Sequence, residues 1–355
     1  MIQVNCIGLG HWGPNLVRCL AASQRARIGT VCDLAVDRLE LVRHNIHGSF
    51  STSTDAIATA TDPNSQAVVI STPASTHFKL AKAALESGKH VLVEKPLAQS
   101  AGECEELIAI AKKGGVLLCV GHVFLFNHGV RYVKQLIDKN ELGDVRYVFS
   151  SRTNLGPFRS DVNALWDLGA HDISIFNYWF ESDPTEVTAF GMSFLNPNVE
   201  DVVVTNMIYP GRIMAGLYVS WLNPQKVRDI TVVGTRKSIV WSDMDLEAPV
   251  RIFDKSVDVQ ETKPYSDSFA SFRMQIRTGD VVIPAIAGGA PLDAEVHHFL
   301  DCIEGKSQPI NDGTVGLQVV RTLEVASASM RHRSLRTQVA ETKPAETRPT
   351  LRRAA

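Results

Sequence analysis

The chain lacks the features that would place it in a membrane or on a nucleic acid. No apolar run reaches the roughly 20 residues that span a bilayer. The 36 basic and 38 acidic side chains nearly cancel, so no charge excess favours an anionic surface. The first residues read as a strand rather than as a secretory leader. We therefore expect a cytoplasmic protein with no membrane or nucleic-acid partner.

Paired cysteines and metal-ligand clusters are also missing. None of the six cysteines forms a C-x-x-C pair. Most of them lie in apolar stretches, where a reduced thiol behaves as a small hydrophobic side chain. They are Cys6, Cys19, Cys32, Cys104, Cys119 and Cys302. Because no group of four potential ligands has supporting spacing, we expect no metal site.

What the chain does contain first is an alternation of short strands and helices. Predicted strands occupy residues 2–7, 28–32, 67–71, 90–93 and 116–120. Predicted helices between them cover residues 13–23, 34–45, 77–87 and 101–113. This alternation predicts an α/β fold in which a doubly wound parallel sheet of the Rossmann type is covered on both faces.

The pattern changes near residue 144, where strand follows strand. The predicted strands are 145–153, 185–193, 202–209, 213–221, 228–233 and 237–241, with helices at 164–180 and 291–304. Short turns between them indicate a large, open, mainly antiparallel sheet. We therefore predict a cofactor domain over 1–122, a second α/β domain over 123–335 and a disordered tail over 336–355.

Glycines after the first strand indicate a dinucleotide site. Gly8, Gly10 and Gly13 have the G-x-G-x-x-G spacing, with His11 and Trp12 in the same turn. Such a turn needs freedom from Cβ strain, close approach to a pyrophosphate and tight helix packing. Asp33 closes the second strand twenty residues after Gly13, where a carboxylate binds the adenosine ribose. The cofactor predicted is NAD, because that carboxylate would repel a 2′-phosphate.

Three further segments end strands at the same edge of the predicted sheet, where ligands bind. They are Ser71-Thr72-Pro73 with His77, then Glu94-Lys95-Pro96, and then Gly121-His122. We expect the named residues, Pro96 and Gly121 excepted, to contact the cofactor. Lys95 in this cleft would also polarise a substrate oxygen.

The segment Trp166-Asp167-Leu168-Gly169-Ala170-His171-Asp172 supplies a candidate base. Asp167 and His171 are four residues apart, so on an α-helix they share one face. A carboxylate beside an imidazole can orient it and raise its basicity. The pair is also compatible with an ordinary solvated helix face, and the spacing alone does not separate the two interpretations.

Taken in order, the motifs G-x-G-x-x-G, T-P-x-x-T-H, E-K-P and D-x-G-x-H-D resemble the glucose-fructose oxidoreductase/inositol dehydrogenase/MocA family over roughly residues 1–330. The resemblance implies a Rossmann domain followed by an open-sheet domain. It also implies that Lys95, Asp167 and His171 serve the reacting hydroxyl.

A narrower resemblance concerns the substrate. The runs G-H-W-G-P-N-L-V-R, R-T-N-L-G-P-F-R-S-D and S-W-L-N-P-Q-K-V-R are similar to those of a subgroup that oxidises the 3-hydroxyl of nucleotide sugars in polysaccharide pathways. Gly169-Ala170 replaces the subgroup's Ala-Pro. Predicted substrate residues are Arg152, Asn154, Arg159, Asp161, Trp166 and His171, with Lys226 and Arg228 as further cations.

These observations predict an NAD-dependent dehydrogenase acting on a nucleotide sugar such as UDP-N-acetylglucosamine or its uronic acid. Three alternatives stay open: a dehydrogenase of a free polyol, a 3-keto-sugar reductase, and a non-catalytic NAD-dependent regulator built on the same fold. Because an open sheet needs cover, we also expect a homodimer or homotetramer.

Overall fold

A computed structural model describes residues 1–46, 48–259 and 274–332. The predicted tail over 336–355 lies outside the described residues. The two predicted sheets are both present, and the predicted fold class is confirmed.

The N-terminal sheet is parallel, with the strand order β3-β2-β1-β4-β5-β6. Its strands are β1 Ile2–Ile7, β2 Ala26–Cys32, β3 Ser51–Ser53, β4 Ala67–Ile70, β5 His90–Glu94 and β6 Leu118–Gly121. The helices between them are α1 Gly13–Ala22, α2 Val36–Asn45, α3 Ala56–Ala60, α4 Ala74–Glu86 and α5 Ala101–Gly114. This order reverses direction between β1 and β4, the crevice in which such sheets bind nucleotides.

Burial explains why these short apolar runs become strands of a sheet covered on both faces. β4 and β6 are buried along their whole length, as expected for strands covered by helices on both faces. All six cysteines are buried free thiols, as predicted for reduced cysteines that act as small hydrophobic side chains. The short α3 and the three-residue β3 were not predicted, because neither carries a full period of apolar residues.

The second sheet is mixed, with the order β16-β13-β12-β11-β7-β10-β9-β8. Its strands are β7 Val145–Leu155, β8 Glu186–Met192, β9 Val202–Tyr209, β10 Ile213–Ser220, β11 Leu222–Gly234, β12 Ser238–Ser242, β13 Val250–Phe253 and β16 Val281–Val282. A separate hairpin joins β14 Ser256–Val259 to β15 Met274–Arg277. All neighbours are antiparallel except the central pair β7 and β10, so the predicted sheet is confirmed with one parallel exception.

The helices of the second half are α6 His128–Asp138, α7 Ala170–Phe180, α8 Pro291–Ile303 and α9 Gly313–Arg331. A short 3₁₀ turn over Val123–Phe126 precedes α6, and a π-helical turn over Leu165–Gly169 precedes α7. The predicted helix over 164–180 therefore exists, but its first turn is not α-helical. Neither α6 nor α9 was predicted.

α8 and α9 return to the first half of the molecule. Phe299 of α8 packs in the core formed with α1. Leu317 and Val320 of α9 lie in the core under β6, whereas Leu323 and Ala326 lie in the core of the second sheet. The domain boundary at residue 122 stays a prediction, and these two helices join the two sheets on either side of it.

The second sheet is packed on one face and open on the other. Large apolar side chains on the open face include Tyr147, Phe149, Val204 and Met214, each more than a third exposed. Helices of the described part of the chain lack any segment long and apolar enough to cross a bilayer.

Candidate active site

The glycine turn after β1 has the geometry of a pyrophosphate cradle. Gly8 adopts a φ of 97°, and a Cβ there would lie 2.6 Å from the Ser71 backbone. A Cβ on Gly13 would lie 2.0 Å from the Gly8 carbonyl oxygen. By contrast, a Cβ on Gly10 would meet nothing within 4 Å, so this position faces open space. Trp12 caps α1 without a side-chain hydrogen bond, Pro14 has no N–H, and the Asn15 amide donates to the Trp12 carbonyl at 3.0 Å, so among these first helix residues the Gly13 amide could bind an anion. The turn therefore fits the dinucleotide for which it was predicted.

Asp33 lies beside this turn at the end of β2. Its carboxylate accepts hydrogen bonds from the amides of Leu9 at 2.6 Å and Ala35 at 2.8 Å, and it is 9% exposed. Arg38 lies 3.7 Å from the same carboxylate. Arg38 was not among the predicted site residues. Its place in the first turn of α2, five residues after Asp33, is the sequence signal that could have identified it.

The turn after β4 is fixed to both neighbouring strand ends. The Ser71 hydroxyl donates to the Gly8 carbonyl at 2.9 Å. His77 is buried, with its ring nitrogens 2.7 Å from the Pro96 carbonyl and 2.9 Å from the Thr72 carbonyl. Burial lowers the pKa of His77, and the neutral ring carries one N–H, so it donates to one of these two carbonyl oxygens at a time. His77 was predicted to contact the cofactor, but in this geometry it ties the turn after β4 to the turn after β5.

Lys95, at the end of β5, points away from the parallel sheet and reaches the π-helical turn. Its ammonium donates to the Asp167 main-chain carbonyl at 2.6 Å and to Asp167 Oδ1 at 3.2 Å. Lys95 and Asp167 are 13% and 14% exposed, so the pair is largely buried but still reaches solvent. The space that the pair borders, with Arg159 at its mouth, is called the cleft below. Burial raises the pKa of Asp167, but the charges of Lys95 and Arg159 outweigh that effect and hold the pKa below its ordinary value.

The predicted Asp167–His171 pair is not made. Among the hydrogen bonds of the described residues, none joins these two side chains, and Asp167 binds Lys95, Arg159 and Trp221 instead. Both oxygens of the Asp167 carboxylate are engaged by these donors, which come from other segments of the chain, so the side chain is directed away from an intrahelical partner. The turn over Leu165–Gly169 that carries Asp167 is π-helical, not α-helical as the spacing argument assumed.

His171 lies at the start of α7 beside the ring of Phe124, with 5.0 Å between ring centroids in an edge-to-face arrangement. Its Nδ1 is buried and has no hydrogen-bond partner. Burial, reinforced by the charges of Lys95 and Arg152, lowers the pKa of His171 well below its ordinary value. The imidazole is therefore neutral near pH 7 and able to accept a proton.

Glu94 and His122 stand behind this cleft. The Glu94 carboxyl lies across Gly121, where a Cβ would be 2.9 Å from it. Burial raises the pKa of Glu94 to about 7, although the neighbouring Lys95 charge acts to lower it. His122 is buried with both ring nitrogens unpartnered, and burial together with Lys95 lowers its pKa to about 3. His122 is thus a neutral group beside the site.

The predicted substrate residues divide into two groups. Arg152 is 2% exposed and its guanidinium is paired with Asp172, so it does not line the cleft. The Trp166 indole donates to the Ser327 hydroxyl at 2.9 Å, and the Asn154 amide is used on the Gly156 carbonyl. Arg152 is thus internal, whereas Trp166 and Asn154 are half-buried and use these donors within the protein.

Arg159 and Asp161 remain at the mouth of the cleft. Arg159 forks onto Asp161 at 2.6 and 2.9 Å and contacts Asp167 Oδ1 at 3.3 Å. Of the additional cations, Arg228 pairs with Asp243 at 2.6 Å, whereas Lys226 is exposed. No cluster of three potential metal ligands occurs in residues 1–46, 48–259 and 274–332.

Comparison with known proteins agrees with this geometry. Residues 2–122 match the model of an oxidoreductase family with an NAD-binding Rossmann fold, and residues 130–240 match the GFO/IDH/MocA C-terminal domain. A UDP-N-acetylglucosamine 3-dehydrogenase of Acidithiobacillus ferrooxidans is 25% identical over 90% of this chain and 94% of its own. Its crystal structure aligns at 23% identity with a TM-score of 0.74, covering 93% and 99% of the two chains.

Two further relatives extend the comparison. The NAD⁺-dependent scyllo-inositol 2-dehydrogenase of Bacillus subtilis is 27% identical over 89% of this chain and 92% of its own. The WlbA dehydrogenase of Bordetella pertussis, solved with NADH and UDP-GlcNAcA, aligns with a TM-score of 0.75 at 18% identity over 93% and 95% of the chains. This last likeness concerns the fold alone.

Proposed function

The chain belongs to the GFO/IDH/MocA oxidoreductase family, and from that premise we propose that it oxidises a secondary hydroxyl, at C3, of a nucleotide-activated sugar. It is an NAD-binding oxidoreductase, and when bound the NAD supplies the hydride acceptor. The observation that carries the proposal is the Lys95 ammonium fixed in the cleft by Asp167, with a neutral imidazole near it.

The proposed roles follow from these charges. Lys95 donates a hydrogen bond to the substrate hydroxyl and stabilises negative charge as it develops on the oxygen. His171 is the proposed acceptor of the hydroxyl proton. Its lowered pKa leaves the imidazole unprotonated, although the same shift makes it a weaker base. Asp167 holds the Lys95 ammonium in place through its carboxylate and its main-chain carbonyl and is not the partner of His171. Cofactor contacts are proposed for Gly8, Gly10, Gly13, Asp33 and the segment ends described above.

Support for a nucleotide sugar comes from two observations. One is the similarity to a UDP-N-acetylglucosamine 3-dehydrogenase along nearly the whole chain. The other is the exposed part of the Arg159 guanidinium at the mouth of the cleft, where a diphosphate or a carboxylate could be bound. Arg152 does not contribute, because it is buried and paired.

A second candidate is oxidation of an uncharged polyol. Arg159 is already paired with Asp161 and Asp167, which offsets its charge, and a scyllo-inositol dehydrogenase is among the relatives. The open face of the second sheet supports a homo-oligomer in either case, because large apolar side chains cover it.

The test is NADH formation by the purified protein with four compounds: UDP-N-acetylglucosamine, its uronic acid, free N-acetylglucosamine and myo-inositol. We expect the two nucleotide sugars to react far faster than the other two. Arg159→Ala should raise KM for the nucleotide sugar more than it changes NAD binding. Arg321→Ala is the matched control, because it removes an exposed arginine that is also paired with a carboxylate but is not a predicted substrate residue. Equal rates with inositol and the UDP-sugars would contradict the nucleotide-sugar proposal and favour the polyol.

A further inference from the structure

Trp221 is a buried residue whose indole nitrogen contacts Asp167 at the cleft. It lies between β10 and β11 and is 1% exposed. Its amide donates to the Asp201 carbonyl at 2.9 Å, and its carbonyl accepts from the Gly156 amide at 3.0 Å. Both main-chain groups are therefore fixed. The indole Nε1 then donates to Asp167 Oδ2 at 3.2 Å.

The two oxygens of the Asp167 carboxylate have different hydrogen-bond partners. Oδ2 is taken by Trp221, whereas Oδ1 receives Lys95 at 3.2 Å and Arg159 at 3.3 Å. The terminal torsion of an aspartate has no steep minima, so a carboxylate is easily rotated unless a donor fixes one oxygen. A donor on Oδ2 keeps Oδ1 directed toward Lys95.

The main chain of Asp167 adds a second point of attachment. Its carbonyl oxygen lies 2.6 Å from the Lys95 ammonium and belongs to the π-helical turn over Leu165–Gly169. A turn with i→i+5 bonds alters the usual pairing of carbonyl groups. Lys95 is thus held at two oxygens of one residue, of which the carboxylate oxygen keeps its position only while the Asp167 side chain does not rotate.

We propose that Trp221 is a positioning residue: its indole N–H fixes the Asp167 carboxylate, which in turn directs the Lys95 ammonium to the substrate oxygen. The inference rests on the proposed dehydrogenase function. Trp221 itself touches neither substrate nor cofactor in this account.

Two other buried tryptophans supply matched controls. Trp179 is also 1% exposed, and its indole donates to the Val130 carbonyl at 2.9 Å, a main-chain group outside the cleft. Trp241 is fully buried, and its indole nitrogen has no partner. Replacing each by phenylalanine removes the same N–H from three environments: a carboxylate in the cleft, a main-chain carbonyl and no acceptor.

The experiment compares Trp221→Phe, Trp179→Phe and Trp241→Phe in the full chain. Trp221→Phe should lower kcat by about ten- to a hundredfold with little change in NAD affinity, because a displaced catalytic group costs rates of that order. Trp179→Phe should retain kcat. Equal losses of kcat in Trp221→Phe and Trp179→Phe would show a merely structural role and overturn the proposal.

A second readout needs no substrate. The indole hydrogen bond is among the contacts that lower the pKa of Asp167. In ¹³C-carboxylate NMR, with the signal assigned by Asp167→Asn, the Asp167 titration should move to higher pH in Trp221→Phe and stay unchanged in Trp179→Phe. An unmoved titration overturns the Trp221 proposal. Absence of sugar turnover in the wild type, with the titration shifted, would instead contradict the proposed function.

Discussion

Two ion pairs near His171 each join a basic side chain to an aspartate, but they differ in exposure to solvent. Lys95–Asp167 is 13% and 14% exposed and opens to the cleft, whereas Arg152–Asp172 is 2% and 1% exposed. Both cations contribute to the lowered pKa of His171. Their carboxylates come from one short segment, five residues apart. The difference teaches that exposure of the cation, and not the presence of the pair, separates a candidate catalytic group from a structural one.

The largest expected effect is on turnover, at the exposed pair. Lys95→Ala should lower kcat by roughly 10²–10⁴-fold, because it removes the charge that stabilises the developing oxyanion. NAD affinity should change little, and so should the melting temperature. Steady-state kinetics, cofactor titration and calorimetry check the three parts. Near-normal turnover would remove Lys95 from the mechanism.

At the buried Arg152–Asp172 pair, the expected effect is on stability rather than on turnover. Asp172→Asn leaves the Arg152 guanidinium without its counter-ion in the core and should lower the free energy of unfolding by about 3–5 kcal/mol. Asp301→Asn is the matched control, because Asp301 pairs with Arg25 on the surface and should cost less than about 1 kcal/mol. Denaturant unfolding measures both. If the two variants lose equal stability, burial does not distinguish these pairs.

A smaller effect is expected at Asp33, whose carboxylate lies 3.7 Å from the Arg38 guanidinium. Asp33→Ser removes the acceptor for the ribose and leaves Arg38 free to attract a 2′-phosphate. The preference for NAD over NADP should narrow by about 1–3 kcal/mol. Dissociation constants for both cofactors check this. Wild-type preference for NADP would contradict the role assigned to Asp33.

The smallest expected change is in the pH profile near neutrality. The pKa of His171 lies well below its ordinary value, so the imidazole is already deprotonated at pH 6.5. As pH falls from 8 to 6.5, kcat/KM should therefore show no loss assignable to His171, and the acid limb should lie at lower pH. His171→Ala identifies any remaining limb. A midpoint near pH 6.5 that disappears in His171→Ala would contradict this account of the site.

The sequence predicted the parallel sheet and its turn well, because Gly8, Gly13 and Asp33 act through local backbone geometry. It failed where side chains meet across the fold. Helical spacing suggested an Asp167–His171 pair, but Lys95, 72 residues away in the chain, binds the Asp167 carboxylate instead. Arg152 was predicted to bind the substrate. The sequence alone did not show that tertiary packing pairs its guanidinium with Asp172 in the core.

Trp221 shows the same limit from the other side. It stood in a sequence run that resembled the subgroup, but nothing local indicated that its indole would reach Asp167. The same holds for Arg38, whose charge lies beside Asp33 only once α2 is packed. Contacts between distant segments are thus what the motif order could not supply.

Helix α9 has a consequence for cooperativity. It is one continuous helix of 19 residues; Leu317 and Val320 in its first half are buried in the core under β6, whereas Leu323 and Ala326 in its second half are buried in the core of the second sheet. Rotating one sheet away from the other would pull Leu317 or Leu323 out of its core, at a cost of a few kcal/mol for each leucine. The width of the cleft is therefore set by folding itself, and the two halves of the molecule are expected to melt together as a single thermodynamic unit.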